Sequence, residues 1–490
     1  MTDTFEYKRE VVREGSVPIS TKIYHGVGGL VGGHKDFAFN TFLLLYYSQI
    51  LGISASLVSV VIAISLIVDA ISDPIVGSIS DNYRSKWGRR HPFMIGSAIP
   101  FGLTLYFLFV PPEGLSDLFI LAWLLFFTVS ARLSYTFFTV PWHALATEYS
   151  NDYIERTSII TFRTMVGWTG GIIFLVCTWQ FIFPNTDEFP SGQLNPDAYP
   201  VFGLVAGILV IIWALVASFG TQREVPFLLQ PLKATPRFSL KRTIDEVALA
   251  LNNSNFRHTF ILYLMFSGIG GVGGVFDIYM NTYFWEFTPD ELKWFAFTGL
   301  GAIIAFITVP RLQRKFDKHK LLQFCLSAAM VNAMVKVCFR FWDIWPDNGQ
   351  SLLLPLLILH AIVTVFFLSI CGIMVASFVA DLLDEQEFET GRRQEGVFSA
   401  ALSFSVKATS SIGIIIGGLL LDYVVNLPKQ APPGSVDSDT LFRLAFSDGV
   451  AVPLMFFIPI YLISRITLTR ERLAEIQLVL EERRAKTASG

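Results

Sequence analysis

The chain has 490 residues, of which 52% are hydrophobic and only 16% charged, and its 45 phenylalanines exceed what a soluble core of this length needs. That composition excludes an ordinary soluble domain and points to a polytopic membrane protein. The net charge of -3 says nothing about partners, because the charges are segregated along the chain.

Apolar stretches of about twenty residues or more, each long enough to cross a bilayer, recur from end to end. They predict twelve spans, at 23–50, 54–80, 93–112, 118–147, 161–183, 201–219, 257–285, 292–310, 321–339, 352–383, 396–426 and 447–465. The expected fold class is therefore an all-α membrane protein of twelve transmembrane helices in two six-helix halves. Residues 1–22 form a cytoplasmic N-terminal segment, 23–219 the first half, 220–256 a cytoplasmic linker with one amphipathic stretch, 257–465 the second half, and 466–490 a cytoplasmic tail. The first span is too long and glycine-rich for a cleavable signal, which predicts a retained helix. Most Lys and Arg fall in the N-terminal stretch, the even-to-odd loops and the tail, with Lys293, Arg340, Lys429 and Arg443 in the opposite set. By the positive-inside rule both termini are cytoplasmic, in a multi-pass protein of the plasma (inner) membrane.

The first helix reads GVGGLVGGHKDFAFNT and carries Lys35 and Asp36. The second contains IVDAISDPIVG, where a four-residue spacing sets Asp69 and Asp73 one turn apart on one face. Two carboxylates at membrane depth repel and cost about 2.5–3.5 kcal/mol each, so they face protein or water. A monovalent cation, Na+ or H+, removes the repulsion. Pro74 loosens the preceding turn and frees a carbonyl, that of Ala70 or Ser72, as a further ligand. The alternative role for Asp73 is to anchor the helix near its loop.

The fourth helix supplies Arg132, Tyr135, Thr139 and Trp142, and the fifth Arg163. With Lys35 and Asp36 they form a set suited to a polyol: charged groups exchange hydrogen bonds with hydroxyls and an aromatic face covers a sugar ring. Arg132 and Thr139, seven residues apart, share a face, which would turn the arginine toward the cavity and an anionic substrate group. The competing readings put Arg163 at the cytoplasmic boundary and make Trp142 a packing residue. The seventh helix reads GIGGVGGVFDIYMNT and matches the first with one residue gapped: glycine pairs precede Asp36 and Asp277, and D-x-x-x-N-T ends at Thr41 and Thr282. Halves of six spans share orientation and are parallel repeats about an axis along the membrane normal, as in major-facilitator transporters, with a cavity expected between them near the midplane. Lys407, deep in the eleventh helix, is a countercharge to the acids, either switchable or static. Cys177, Cys325, Cys338 and Cys371 lack metal or redox spacing and read as small apolar core residues.

The loop DNYRSKWGRRHPF (81–93), with DAISDP, VPWHALATEYSNDYIERTSIITFR (140–163) and ADLLDEQEFETGRRQEGVFSAALSFSVK (380–407), resembles the glycoside–pentoside–hexuronide:cation symporter family, the melibiose permease-like branch of the major facilitator superfamily. The resemblance runs from the first helix to the eleventh. It implies that Asp69 and Asp73 coordinate the coupling cation, that Lys407 acts in coupling near them, and that Lys35, Asp36 and Arg163 contact sugar. It also implies that Asp81, Arg89, Glu148, Arg156, Asp381, Arg392 and Arg393 belong to a cytoplasmic gate of charge pairs. Thr139 stands before Val140-Pro141 where melibiose permease has an acid. This departure puts galactoside specificity in doubt and leaves a hydroxyl as the remaining cation ligand.

The expected function is a secondary active, Na+- or H+-coupled symporter importing a sugar, glycoside or uronide by alternating access, with no covalent cofactor and no nucleic-acid partner. Membrane lipid is its surroundings. A lysophospholipid carrier of the same fold is the alternative. A membrane enzyme is disfavoured by the absence of HExxH, GxSxG or GxxxxGK[ST], and a channel by the repeat with its lone eleventh-helix lysine.

Overall fold

The computed structural model describes residues 7–8, 11, 13, 15–150, 152–228, 230–231, 251, 254–390, 395–466, 468 and 470–488. Most of the expected linker stretch, with its amphipathic segment, lies outside them. Hydrocarbon offers no hydrogen-bond partners, so a chain this apolar satisfies its backbone inside helices. Among the described residues eleven helices are long and apolar enough to cross a membrane. Besides helices there is a two-residue antiparallel ladder, Tyr7–Lys8 against Gln230–Pro231.

The chain divides into two units. The first comprises Met1–Phe238 with Thr288–Lys293 and the second Ser239–Phe287 with Trp294–Gly490. Helices α1 (Ile19–Phe37), α2 (Ala55–Asn82), α3 (His91–Leu108), α4 (Asp117–Glu148), α5 (Tyr153–Cys177) and α6 (Ala198–Gln222) build the first. The second contains α7 (Ser254–Tyr279), α8 (Gly299–Lys315), α9 (Lys318–Phe341), α10 (Leu353–Thr390), α11 (Glu395–Leu419) and α12 (Ser438–Ile463), the last broken by a π-helical turn at Ser447–Ala451. Helix α1, the expected first span, falls outside the eleven, and His25, His34, Lys35 and Asp36 make it the polar member of the set.

Each unit uses the same packing. In the first, α1 packs on α5, α2 on α4 and α3 on α4; in the second, α7 packs on α11, α8 on α10 and α9 on α10. The glycines of the repeat explain the α1/α5 and α7/α11 crossings. A β-carbon on Gly29 would come 3.2 Å from Gly167 Cα, and one on Gly271 would come 2.6 Å from the Ser410 carbonyl oxygen, so both crossings bring backbone against backbone. Immediately beyond Asp36 and Asp277 both helices turn π-helical, at Ala38–Leu43 and Met280–Phe284. Their partners do the same, at Thr178–Ile182 and Leu420–Val425.

Helix α2 shows how the bilayer sorts residues. Leu57, Val60, Ile64, Ile67, Ile71, Ile75 and Ile79 form an exposed stripe at three- and four-residue spacing, the lipid face. Val58, Ile62, Ser65, Asp69, Ser72, Val76 and Ser80 repeat at the same spacing on the buried face. Polar residues therefore point inward, as a hydrocarbon solvent requires.

Boundaries that differ from those read in the sequence include the start of α5, at Tyr153 rather than 161, and the end of α10, at Thr390 rather than 383. The last span starts at Ser438 rather than 447, because Asp437 caps it by accepting from the Thr440 amide at 2.9 Å. The tail is also structured: Arg470–Ala488 forms α13, which packs on α10 and carries Gln477, whose amide donates to Asp384 at 3.1 Å.

Candidate functional site

In the middle of α2, Asp69 is 4% exposed and Asp73 half-buried, and both face α4. The α4 residue that reaches them is Thr136, whose Oγ1 lies 2.9 Å from Asp69 Oδ1 and 3.1 Å from Asp73 Oδ1. A hydroxyl has one hydrogen. It donates to one carboxylate at a time, which leaves its contact with the other for a proton or cation to compensate. Ser72 Oγ lies 3.4 Å from Thr136 Oγ1 and 3.0 Å from the Asp69 carbonyl oxygen. The helix runs through Pro74 without a break. Thr139, the hydroxyl expected here, sits one turn along with its side chain buried.

Arg132 is buried against this pair. Its Nε donates to Ser65 Oγ at 2.8 Å, its Nη1 lies 3.8 Å from Asp69 Oδ2, and the guanidinium covers the Phe39 ring at 4.9 Å. One positive charge is thus built into the acid site from within the same unit. Lys407 lies half-buried on α11 in the second unit, with its carbonyl accepting from Ser411 Oγ at 2.8 Å.

Lys35 and Asp36 form an ion pair at 2.8 Å, the lysine buried over the Tyr135 ring at 4.3 Å and Asp36 exposed. Trp142 is 5% exposed, donates from Nε1 to the His25 carbonyl at 2.9 Å and stacks on the His25 ring at 5.1 Å. Gly28 makes that position available, since a β-carbon there would fall 2.3 Å from Trp142 Nε1. Arg163 lies 5.6 Å over the Trp142 ring and donates to His143 Nδ1 at 2.9 Å. Because α5 begins at Tyr153, Arg163 stands about 15 Å along the helix from its start.

The residues expected at the gate, where described, make short contacts inside their own unit. Glu148 Oε1 accepts from Arg89 Nη2 and Arg90 Nε, each at 2.7 Å, and Asp81 Oδ1 accepts from Arg90 Nη2 at 2.6 Å. These bonds pin the α2–α3 turn to the end of α4. Arg156 Nε donates to the Ser150 carbonyl at 2.7 Å, and Lys318 pairs with Asp381 at 2.6 Å. Arg392 and Arg393 lie outside the described residues. Sequence reasoning missed Thr136, Lys318, the Lys22–Glu155 pair at 3.0 Å and the Lys336–Asp448 pair at 2.7 Å. For Thr136 the signal was present, since it lies one turn before Thr139 on the same face. Among the described residues no cluster of three or more His, Cys, Asp or Glu side chains is arranged to hold a metal ion.

A family model described as MFS/sugar transport protein matches residues 24–470. The putative glycoside/cation symporter YagG of Escherichia coli (strain K12) is 23% identical, over 95% of this chain and 95% of its own. The isoprimeverose transporter of Lactiplantibacillus pentosus is 23% identical over 86% and 84%, and the sphingosine-1-phosphate transporter MFSD2B of Xenopus tropicalis 25% identical over 97% and 93%. Among solved structures, the inward open conformation of the xylose transporter XylE from E. coli matches with a TM-score of 0.58 at 14% identity, covering 94% of this chain and 99% of that one. At that identity the likeness speaks for the fold alone.

Proposed function

We propose, from the premise that the chain belongs to the MFS/sugar transport protein family, that it is a secondary symporter importing a glycoside together with one monovalent cation. The observation that carries this reading is the single Thr136 hydroxyl set between two carboxylates at 2.9 and 3.1 Å. Asp69 and Asp73 bring two carboxylates to one hydroxyl, with Arg132 Nη1 3.8 Å from the first, and a bound cation would stabilise the negative charge gathered there. Sodium would take the carboxylates and Thr136 as oxygen ligands; a proton would sit on Asp73, the more open acid. Lys407 is proposed to act in coupling, as the family resemblance implies.

Lys35, Asp36 and Arg163 are proposed to hold the sugar hydroxyls, with Trp142 orienting Arg163 rather than stacking on the ring itself. Asp81, Arg89, Glu148, Arg156 and Asp381 are proposed to hold the cytoplasmic ends closed in one state of alternating access, in the inner membrane with both termini cytoplasmic. The relatives named for glycosides and for isoprimeverose support a sugar cargo. The sphingosine-1-phosphate relative supports the rival lipid cargo.

The test is uptake into proteoliposomes under an imposed sodium gradient or an imposed pH gradient, with isoprimeverose, lactose, a glucuronide and a lysophospholipid as cargoes. Gradient-driven accumulation of a glycoside by the wild type, lost in Asp73→Asn, is expected. Accumulation of the lysophospholipid alone moves the protein to the rival reading, and accumulation that persists in Asp73→Asn overturns the cation site.

A further inference from the structure

In the second unit α7, α9 and α12 bring together three ionisable side chains that no role above uses. Lys336 Nζ on α9 holds Asp448 Oδ2 on α12 at 2.7 Å, and Asp277 on α7 stands within electrostatic reach of both. The three share one level. Helix α9 ends at Phe341, the π-helix after α7 at Phe284, and α12 starts at Ser438, which sets the three about 8–15 Å inside the spans. Those ends are joined: Asn348 donates to the Phe284 carbonyl at 3.0 Å, and the Phe341 and Phe442 rings lie 4.9 Å apart.

Charges at such depth are costly and mark ligand paths rather than ordinary packing. Lys336 and Asp448 neutralise one another, and Asp448 sits in the π-helical turn Ser447–Ala451, a deformation that recurs at functional positions. Asp277 differs. Its side chain is exposed, and among the described residues it makes no hydrogen bond or ion pair. Its counterpart in the repeat, Asp36, has Lys35 as a partner at 2.8 Å; at the matching place before Asp277 stands Phe276. The repeat has kept the acid and left it open.

We propose that Asp277, backed by Lys336 and Asp448, is a hydroxyl-binding subsite of the second unit that takes a vicinal diol of a neutral glycoside. This rests on the reading of the protein as a glycoside carrier. A carboxylate accepts from two adjacent hydroxyls, and the Lys336 ammonium, with three donors and one used on Asp448, can donate to a hydroxyl oxygen. The one lysine is already paired with Asp448, so a uronide carboxylate finds an acid and no spare counter-charge here, which selects neutral sugars.

The experiment uses the purified full chain and the tightest binder among isoprimeverose, lactose and methyl β-D-xylopyranoside, with monodeoxy derivatives of that sugar, read by calorimetry. Asp277→Asn is expected to weaken binding about ten- to a hundredfold, the scale of a hydrogen bond to a charged group. One monodeoxy derivative should bind the wild type more weakly than the parent sugar yet bind Asp277→Asn equally, a pattern that a general loss of packing does not produce. Asp277→Glu keeps the charge while moving it by a methylene, and serves if the asparagine variant does not fold; it should shrink the contribution of that same hydroxyl. An unchanged affinity and an unchanged deoxy pattern in the variants overturn the subsite while leaving the glycoside reading intact. A wild type that binds none of the three sugars overturns both.

Discussion

Arg132 and Asp69 face one another between α4 and α2, Nη1 3.8 Å from Oδ2, with the arginine also bonded to Ser65 at 2.8 Å. Both side chains are almost wholly buried, so neither charge is stable there alone. Asp69→Asn should therefore lower stability by about 3–5 kcal/mol, the cost of stranding a buried partner, and abolish cation-driven uptake. The double variant Asp69→Asn/Arg132→Met should recover much of the melting temperature without recovering uptake. Thermal unfolding and proteoliposome uptake on the same preparations separate the two effects.

Thr136→Val keeps the shape and removes the hydroxyl that touches both acids. The concentration of coupling cation giving half-maximal uptake should rise about tenfold or more, from the loss of one charged hydrogen bond. Sugar affinity at saturating cation should change little, and Thr136→Ser should restore the wild-type value. A cation titration of uptake checks this, and an unchanged half-maximal concentration would remove Thr136 from the site.

Gly28→Ala should destabilise the first unit by about 1–3 kcal/mol, the usual cost of overpacking a filled site, because the new methyl meets Trp142 Nε1 at 2.3 Å. Gly33→Ala is the control: its β-carbon finds nothing closer than 3.9 Å and should leave the melting temperature unchanged. A quench or shift in tryptophan emission confined to Gly28→Ala would show Trp142 displaced from His25.

Glu148→Gln should cost more than an ordinary surface charge change. One buried carboxylate oxygen accepts from both Arg89 and Arg90 at 2.7 Å, and the neutral amide takes that charge from Arg89 and leaves Arg90 with Asp81 as its remaining acid. A loss of about 3 kcal/mol or more is expected, whereas Asp439→Asn on the exposed start of α12 should stay within about 0.5 kcal/mol. Chemical or thermal unfolding in matched detergent compares them.

Much of this architecture was legible in the sequence because hydrocarbon imposes a single rule on every span. The eleven membrane-length helices overlap predicted apolar stretches, and the shared D-x-x-x-N-T marks where α1 and α7 both turn π-helical. What stayed hidden depended on the rotation of one helix against another. Periodicity places Thr136 and Thr139 on one side of α4, but only the packing of α4 on α2 decides that Thr136 reaches the acids and that Arg132 turns to Asp69. Lys336 and Asp448 escaped too. No motif or spacing in the sequence links a lysine on α9 to an acid on α12, and only the packing of the two helices brings them together.

The π-helical stretches that close α1, α5, α7 and α11 have a mechanical corollary. Each stores a residue wound into the chain, and a carbonyl that exchanges its i+5 partner for an i+4 partner passes that surplus along the helix. The segment beyond then swivels without surrendering a hydrogen bond. The glycine crossings at Gly29 and Gly271 meanwhile keep the remainder of each helix clamped. Four such swivels, at matching stations of a duplicated fold, would let the helix segments beyond them reorient while the acid-bearing middle of α2 stays still.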